Sequence, residues 1–312
     1  LTAGVSRLPF FAIIDIGPSS SGLISLIRDS LPPERRYEAA HYRLRMTAEY
    51  AINPFDTQLG CRYPLPDERA YLIELMTLLC TPPGQEQPYD GITQLIGFTL
   101  DEMYRWRDDR PAGAEARAYL PYIDHEVDEA IRSYNIHLPR EPYWWDVVDM
   151  LFDLGLIHEA QLAQRHAVPT ITDAVTASRR PQIRALLEET KLSASTESII
   201  NAFERMVASA IREFPIIASI TRFDIGGARV CALDLMEVSP QGDESADRQT
   251  AILYMLARHT LVRSWWLGDD IVRLLPEKYR AYHSKRLLDI RESPKRICYD
   301  EFHRTSKSHS VR

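Results

Sequence analysis

Hydrophobic positions follow different rhythms in different parts of this 312-residue chain. Near the start, Leu8-Pro9-Phe10-Phe11-Ala12-Ile13-Ile14-Asp15-Ile16-Gly17 is a continuous apolar run ending in Asp and Gly, which predicts a strand covered on both faces. Pro18-Ser19-Ser20-Ser21-Gly22 then reads as a tight turn. Leu23, Ile24, Leu26 and Ile27 predict a short amphipathic helix with a serine at its cap, completing a βα unit. After a polar stretch rich in Arg and Tyr, residues 35–45, the segment Tyr50-Ala51-Ile52-Asn53-Pro54-Phe55 predicts a second strand or extended segment. It should end at Asn-Pro, because proline brings no N–H to a ladder.

Across residues 66–215 the period lengthens to 3.6. Tyr71, Leu72, Leu75, Met76 and Leu79 form one such stripe, and Ile199, Ile200, Phe203, Met206, Val207 and Ile211 form another. The breaks carry turn chemistry, as in Pro82-Pro83-Gly84 and Leu138-Pro139, so at least five helices joined by proline-bearing loops are predicted. No fixed-length repeat is present, which argues against a solenoid.

Strand character returns at Ala228-Arg229-Val230-Cys231-Ala232-Leu233-Asp234-Leu235 and at Lys295-Arg296-Ile297-Cys298-Tyr299-Asp300-Glu301. Between them Ile252, Leu253, Met255, Leu256, Leu261 and Val262 mark a helix. Strand, helix, strand in that order predicts a parallel crossover. The expected fold is therefore α/β with a large all-α insertion, divided as 1–65, 66–215 and 216–312.

Composition narrows the function classes. A net charge of −7 speaks against a surface that grips nucleic acid phosphates with its bulk field. No apolar run reaches the roughly 18 residues of a membrane-spanning helix. Cys61, Cys80, Cys231 and Cys298 are widely separated in apolar settings, which predicts reduced, buried thiols and a cytoplasmic protein. The chain begins at Leu1 with no signal-peptide pattern, and its last strand stops about a dozen residues before Arg312. It is expected to be cut from something longer, inside one domain.

The chemistry to look for lies at strand ends. Asp15, Asp234 and the pair Asp300-Glu301 each close an apolar strand, and in a parallel sheet ligands bind outside the carboxyl ends of the strands. An Asp-Glu pair in that position is how nucleotide hydrolases hold magnesium and polarise the attacking water. Magnesium asks the protein for only one or two carboxylates, since it keeps several waters. Against this, no Gly-x-x-x-x-Gly-Lys-Ser/Thr phosphate loop occurs in the chain, and the Pro18–Gly22 turn reads as lacking both its lysine and its glycine spacing.

Other candidates read more simply as structure. Asp234 is expected to end a structural strand beside a solvated turn. Asp124-His125-Glu126-Val127-Asp128-Glu129 places neighbours on diverging faces of a helix, and His158 and His166 are two turns apart, too far to share an ion. Trp144-Trp145 and Trp265-Trp266 read as core or interface anchors. The basic aromatic patch of Arg35, Arg36, Tyr37, Tyr42, Arg43 and Arg45 reads as a subunit contact in preference to a DNA contact.

Two stretches carry a family resemblance. The run from Phe11 through Asp15-Ile16-Gly17-Pro18-Ser19-Ser20-Ser21-Gly22, followed by Asn53-Pro54-Phe55-Asp56-Thr57-Gln58-Leu59-Gly60, resembles the ATPases of type IVB secretion and conjugation systems. These are the DotO/IcmB (Dot/Icm) and TraU family within the wider VirB/TraC class. The strand at 229–235 with its following helix is similar to that class's penultimate strand and helix, and Asp300-Glu301-Phe302-His303-Arg304 sits where a Walker B strand ends.

The resemblance implies a RecA-like P-loop NTPase sheet, incomplete at both ends, running from just after Walker A to just after Walker B. It implies ATP and Mg2+ as cofactors, Asp300 as the metal ligand and Glu301 as the catalytic residue that activates water. Asp15, His303 and Arg304 are implied to face the nucleotide. It further implies a hexameric ring of identical subunits, inner-membrane secretion-system components as partners, and secreted protein or conjugative DNA–protein complexes as substrates. Peripheral attachment to the bacterial inner membrane follows, without a membrane span. The missing Walker A lysine makes a chain inactive on its own the expectation. The alternative is a non-hydrolysing scaffold or docking module of the same kind of machine, in which the acids merely end strands.

Overall fold

The computed structural model describes residues 7–300 apart from 83, 86, 113–114, 188–189, 193–195, 241 and 243. Its centre is a four-stranded parallel sheet of β1 (Phe10–Asp15), β2 (Ala39–Arg43), β3 (Val230–Asp234) and β4 (Lys295–Tyr299), in the order β2-β3-β1-β4. The fold is thus α/β, as the strand pattern predicted. Register aligns the strand ends: Asp15 pairs with Asp234, Arg43 with Asp234, and Ile14 with Tyr299. β3 and β4 are parallel but do not touch, because β1 lies between them.

Alternation along the strands divides the sheet into two covered faces. Ile13, Val230 and Ala232 pack with Ile24 of α1 (Ser19–Asp29) on one side. Ala12, Ile14, Cys231 and Leu233 face the other side and join the core of α10 (Glu244–Val262). Ile14, Ala232 and Leu233 are fully buried, as strands covered on both faces require.

Between β2 and β3 the chain makes eight helices among the described residues: α2 (Pro66–Leu79), α3 (Ile92–Arg107), α4 (His125–Ser133), α5 (Trp144–Asp153), α6 (Ile157–Ala167), α7 (Ile171–Ser178), α8 (Pro181–Leu187) and α9 (Ile199–Glu213). α2, α3, α7 and α9 share one continuous core with the sheet and α10. α4, α5 and α6 form a smaller core around Trp144, Trp145 and Leu151, closed by Tyr279. That ring lies against Gly60, where φ is +79° and a Cβ would sit 2.3 Å from the Tyr279 ring, so only glycine fits. α11 (Arg280–Glu292) leads into β4.

The second strand lies elsewhere than the sequence suggested. Residues 50–55 are not in the sheet, although Ala51 to Phe55 are buried and Ile52 N donates to the Ile216 carbonyl at 2.7 Å. The strand is Ala39–Arg43, inside the stretch that reads as polar. As an edge strand of a parallel sheet it needs only one paired side, and its Ala-Ala-His-Tyr-Arg sequence shows no apolar run. Cys61, Cys80 and Cys231 are buried free thiols, each pushed up to about 12 by burial, and Cys298 is half-buried.

Candidate functional site

Three aspartates reach the carboxyl edge of the sheet, and their surroundings differ. Asp234 is fully buried, and both its oxygens are taken: Arg43 Nε donates to Oδ2 at 2.9 Å and Met236 N to Oδ1 at 2.8 Å. Arg43 comes from the edge strand that the sequence concealed. Asp234 therefore ends a structural strand.

Asp15 is equally buried, but only one of its oxygens is served. Oδ2 accepts from Ser20 N at 2.9 Å and from Ser19 Oγ at 2.9 Å. Oδ1 is buried and makes no hydrogen bond of good geometry, although the Ser20 hydroxyl also acts on this carboxyl. Burial raises the affinity of this carboxyl for a proton, yet the hydrogen bonds from Ser20 and Ser19 and the contact with Asp300 outweigh it and hold the group below its usual value. Gly17, at φ +152°, lets the chain turn back so that the first turn of α1 addresses Asp15.

Asp300 follows β4 directly. Its N donates to the Ile14 carbonyl at 2.9 Å, and its carbonyl accepts from the buried Tyr254 hydroxyl. Its Oδ2 lies 3.4 Å from Ser19 Oγ, so one serine hydroxyl stands between the Asp15 and Asp300 carboxylates. Two carboxylates and a hydroxyl on adjacent strand ends, with one buried oxygen lacking a hydrogen bond of good geometry, form a donor set that fits a hard divalent cation. Without a cation or a shared proton, like charges this close oppose each other. Among the described residues no group of three or more His, Cys, Asp or Glu has metal-holding geometry, so a cation here would take its remaining ligands from water or a substrate.

Of the residues singled out from sequence, Asp15 and Asp300 are brought together, while Glu301, His303 and Arg304 lie outside the described residues. Ser19 was missed as a contributor. The signal available was its spacing, four residues beyond a strand-end aspartate at a helix start. The glycine spacing, read as absent, is present: Gly17 and Gly22 lie five residues apart, as in a phosphate loop. Leu23 and Ile24 occupy the places of its lysine and hydroxyl residue. The N–H of Ser20 at the start of α1 already serves Asp15, so this turn is not arranged to cradle phosphate.

The remaining candidates have structural partners. Asp124 caps α4 through Val127 N at 3.1 Å and lies 3.2 Å from His166, whose ring stacks on Trp144. His158 pairs with Glu126. Arg35 pairs with Glu38, and both Arg43 and Arg45 reach Glu237; Arg36, Tyr37, Arg43 and Arg45 are the exposed members of the basic aromatic patch.

No protein-family profile matches the chain, and no curated protein matches it. Among solved structures, 96% of this chain is similar to 72% of VirB4 of Thermoanaerobacter pseudethanolicus, with a TM-score of 0.34 and 13% sequence identity. Likeness at that level fixes neither activity nor partners. No helix among the described residues is long and apolar enough to cross a membrane.

Proposed function

We propose that the chain supplies the metal-holding and water-activating part of an ATPase that energises translocation by a type IV secretion or conjugation machine. One observation carries the reading: Asp15, Ser19 and Asp300, far apart in sequence, converge at the carboxyl ends of adjacent parallel strands with a buried carboxylate oxygen left over. The sequence resemblance around Asp15, Asn53-Pro54-Phe55-Asp56 and Asp300-Glu301 supports the same reading and suggests the DotO/IcmB and TraU branch.

In this account Asp300 and Asp15 hold Mg2+, with Ser19 keeping their carboxylates apart. When bound, Mg2+ supplies positive charge for phosphate oxygens. Glu301 would accept a proton from the attacking water, and His303 and Arg304 would serve the γ-phosphate. The phosphate loop would come from outside these 312 residues. The helices of 66–215 form an insertion in the ATPase core, and the working assembly is a hexameric ring at the inner membrane, moving protein or DNA–protein substrates.

The test is turnover in the protein as it occurs naturally. Glu301→Gln should bind ATP with unchanged affinity and lose about a hundredfold or more of its turnover. Unchanged turnover removes Glu301 from the role. A protein with no ATP binding at all would favour the scaffold reading, which the occupied N–H at the start of α1 already suits.

A further inference from the structure

The opposite end of the sheet has the opposite charge. Around the amino ends of β1 and β3 lies a cavity of about 740 Å³, walled by the sheet, by the segment 52–59, by α6 and α11, and by the short turn that follows α10. Its size suits a drug-sized or nucleotide-sized ligand. Six arginines and four carboxylates line it, an excess of positive charge in a chain whose net charge is −7.

The carboxylates are already engaged. Glu38 holds Arg35 at 2.7 Å, Asp224 holds Arg165, and Asp289 holds both Arg7 and Arg229 at 2.7 and 2.9 Å. Asp56 accepts from Thr221 Oγ1 at 2.6 Å and from Asn53 Nδ2 at 3.3 Å. Two arginines make no direct ion pair with a described carboxylate, although the charge of Arg263 acts on Asp56 and that of Glu68 acts on Arg286. Arg263 Nη1 donates to the Asp56 carbonyl at 2.9 Å, and Arg286 Nη1 to Gln58 Oε1 at 2.7 Å. Neither makes an ion pair with a described residue.

They are also close enough to feel each other. Burial, with the charge of Arg263 added to it, lowers the proton affinity of Arg286. A guanidinium has five N–H donors, and neutral oxygens occupy few of those on this pair. Half-buried like charges facing one cavity are costly unless an anion joins them. Both are held by the Asn53-Pro54-Phe55-Asp56-Thr57-Gln58 segment, the sequence signature that the carboxyl-end site does not use. Asn53 Nδ2 fixes that segment by donating to the Pro169 carbonyl at 2.8 Å.

We propose that this cavity binds a phosphate-bearing small molecule, with its phosphoryl oxygens between Arg263 and Arg286. Forked guanidinium donors match phosphate oxygens in geometry and charge. Phe10, Phe223 and Trp265 offer apolar wall for the organic part of the ligand. The inference does not depend on the ATPase reading, because the carboxyl-end acids take no part in it.

The experiment is calorimetric titration of the chain with pyrophosphate, and separately with AMP, in EDTA and low salt so that the metal site stays silent. Wild type should bind both. Arg263→Gln and Arg286→Gln should each weaken binding by about tenfold, and the double variant should abolish it. Asp300→Asn should bind as wild type does. A parallel titration with inorganic phosphate separates the two parts of the site: AMP binding more tightly than inorganic phosphate would show that the apolar wall contributes, and equal affinity would restrict the site to the phosphoryl group. If the variants fail to fold, phenylglyoxal labelling of wild type gives the same answer, with pyrophosphate protecting Arg263 and Arg286 and leaving exposed Arg28 reactive. No heat and no protection up to about 10 mM pyrophosphate, or wild-type affinity in the double variant, overturns the proposal.

Discussion

Asp15 and Asp234 face each other across one ladder and end nearly identical apolar strands, yet only one of them is available for chemistry. Asp234 has a cation on one oxygen and a backbone N–H on the other. Asp15 has two donors on one oxygen and none of good geometry on its buried Oδ1, with a second carboxylate beside it. Position at a strand end brings an acid to the ligand crevice. The donors that neighbouring elements bring decide whether the acid is spent on the fold or left for a ligand.

The largest consequence should appear in stability. Asp234→Ala leaves the part-buried Met236 N–H unmatched and Arg43 with only Glu237, and urea unfolding should show a loss of about 2 kcal/mol. Asp15→Asn keeps an acceptor for Ser20 N and should cost about 1 kcal/mol. Equal losses would erase the distinction between the two residues. A double-mutant cycle of Arg43→Met with Asp234→Asn should then give a coupling of about 1 kcal/mol, limited because Arg43 is partly exposed and screened.

Acid titration should sharpen the difference further. The Asp15 carboxyl lies below its usual value when folded. Its contribution is therefore fully present above the unfolded value of about 3.9 and is lost as pH falls through the lower folded value. Asp15→Asn should flatten that part of the acid unfolding curve, and an unaltered acid limb would mean that Asp15 is not held ionised. The smallest effect belongs to Ser19→Ala. It removes the hydroxyl between two carboxylates and should cost about 0.5 kcal/mol in the same urea assay, while weakening cation binding several-fold.

Much of this arrangement is legible along the chain. Unbroken apolar runs mark β1 and β3, because strands covered on both faces cannot admit polar residues, while β4 is a half-exposed edge strand, Lys-Arg-Ile-Cys-Tyr, marked by the helix before it and the acid after it. The edge strand β2 is hidden because Ala39–Arg43 is half-exposed and carries its meaning in Arg43, whose target lies 191 residues away. The weakly served oxygen of Asp15 could not be read either, since it depends on which donors fold against it. Arg263 and Arg286 have no pattern of their own in sequence. Only the fold brings them together on the 53–58 segment, where the Asn-Pro-Phe-Asp signature had suggested significance without showing what it holds.

The most direct test of the account is a Mn2+ titration of the chain followed by electron paramagnetic resonance at neutral pH, with Mn2+ standing in for Mg2+. One bound ion is predicted for wild type and for Asp234→Asn, and none for Asp15→Asn or Asp300→Asn. Wild-type occupancy in Asp15→Asn, or loss of the ion in a folded Asp234→Asn, would contradict it.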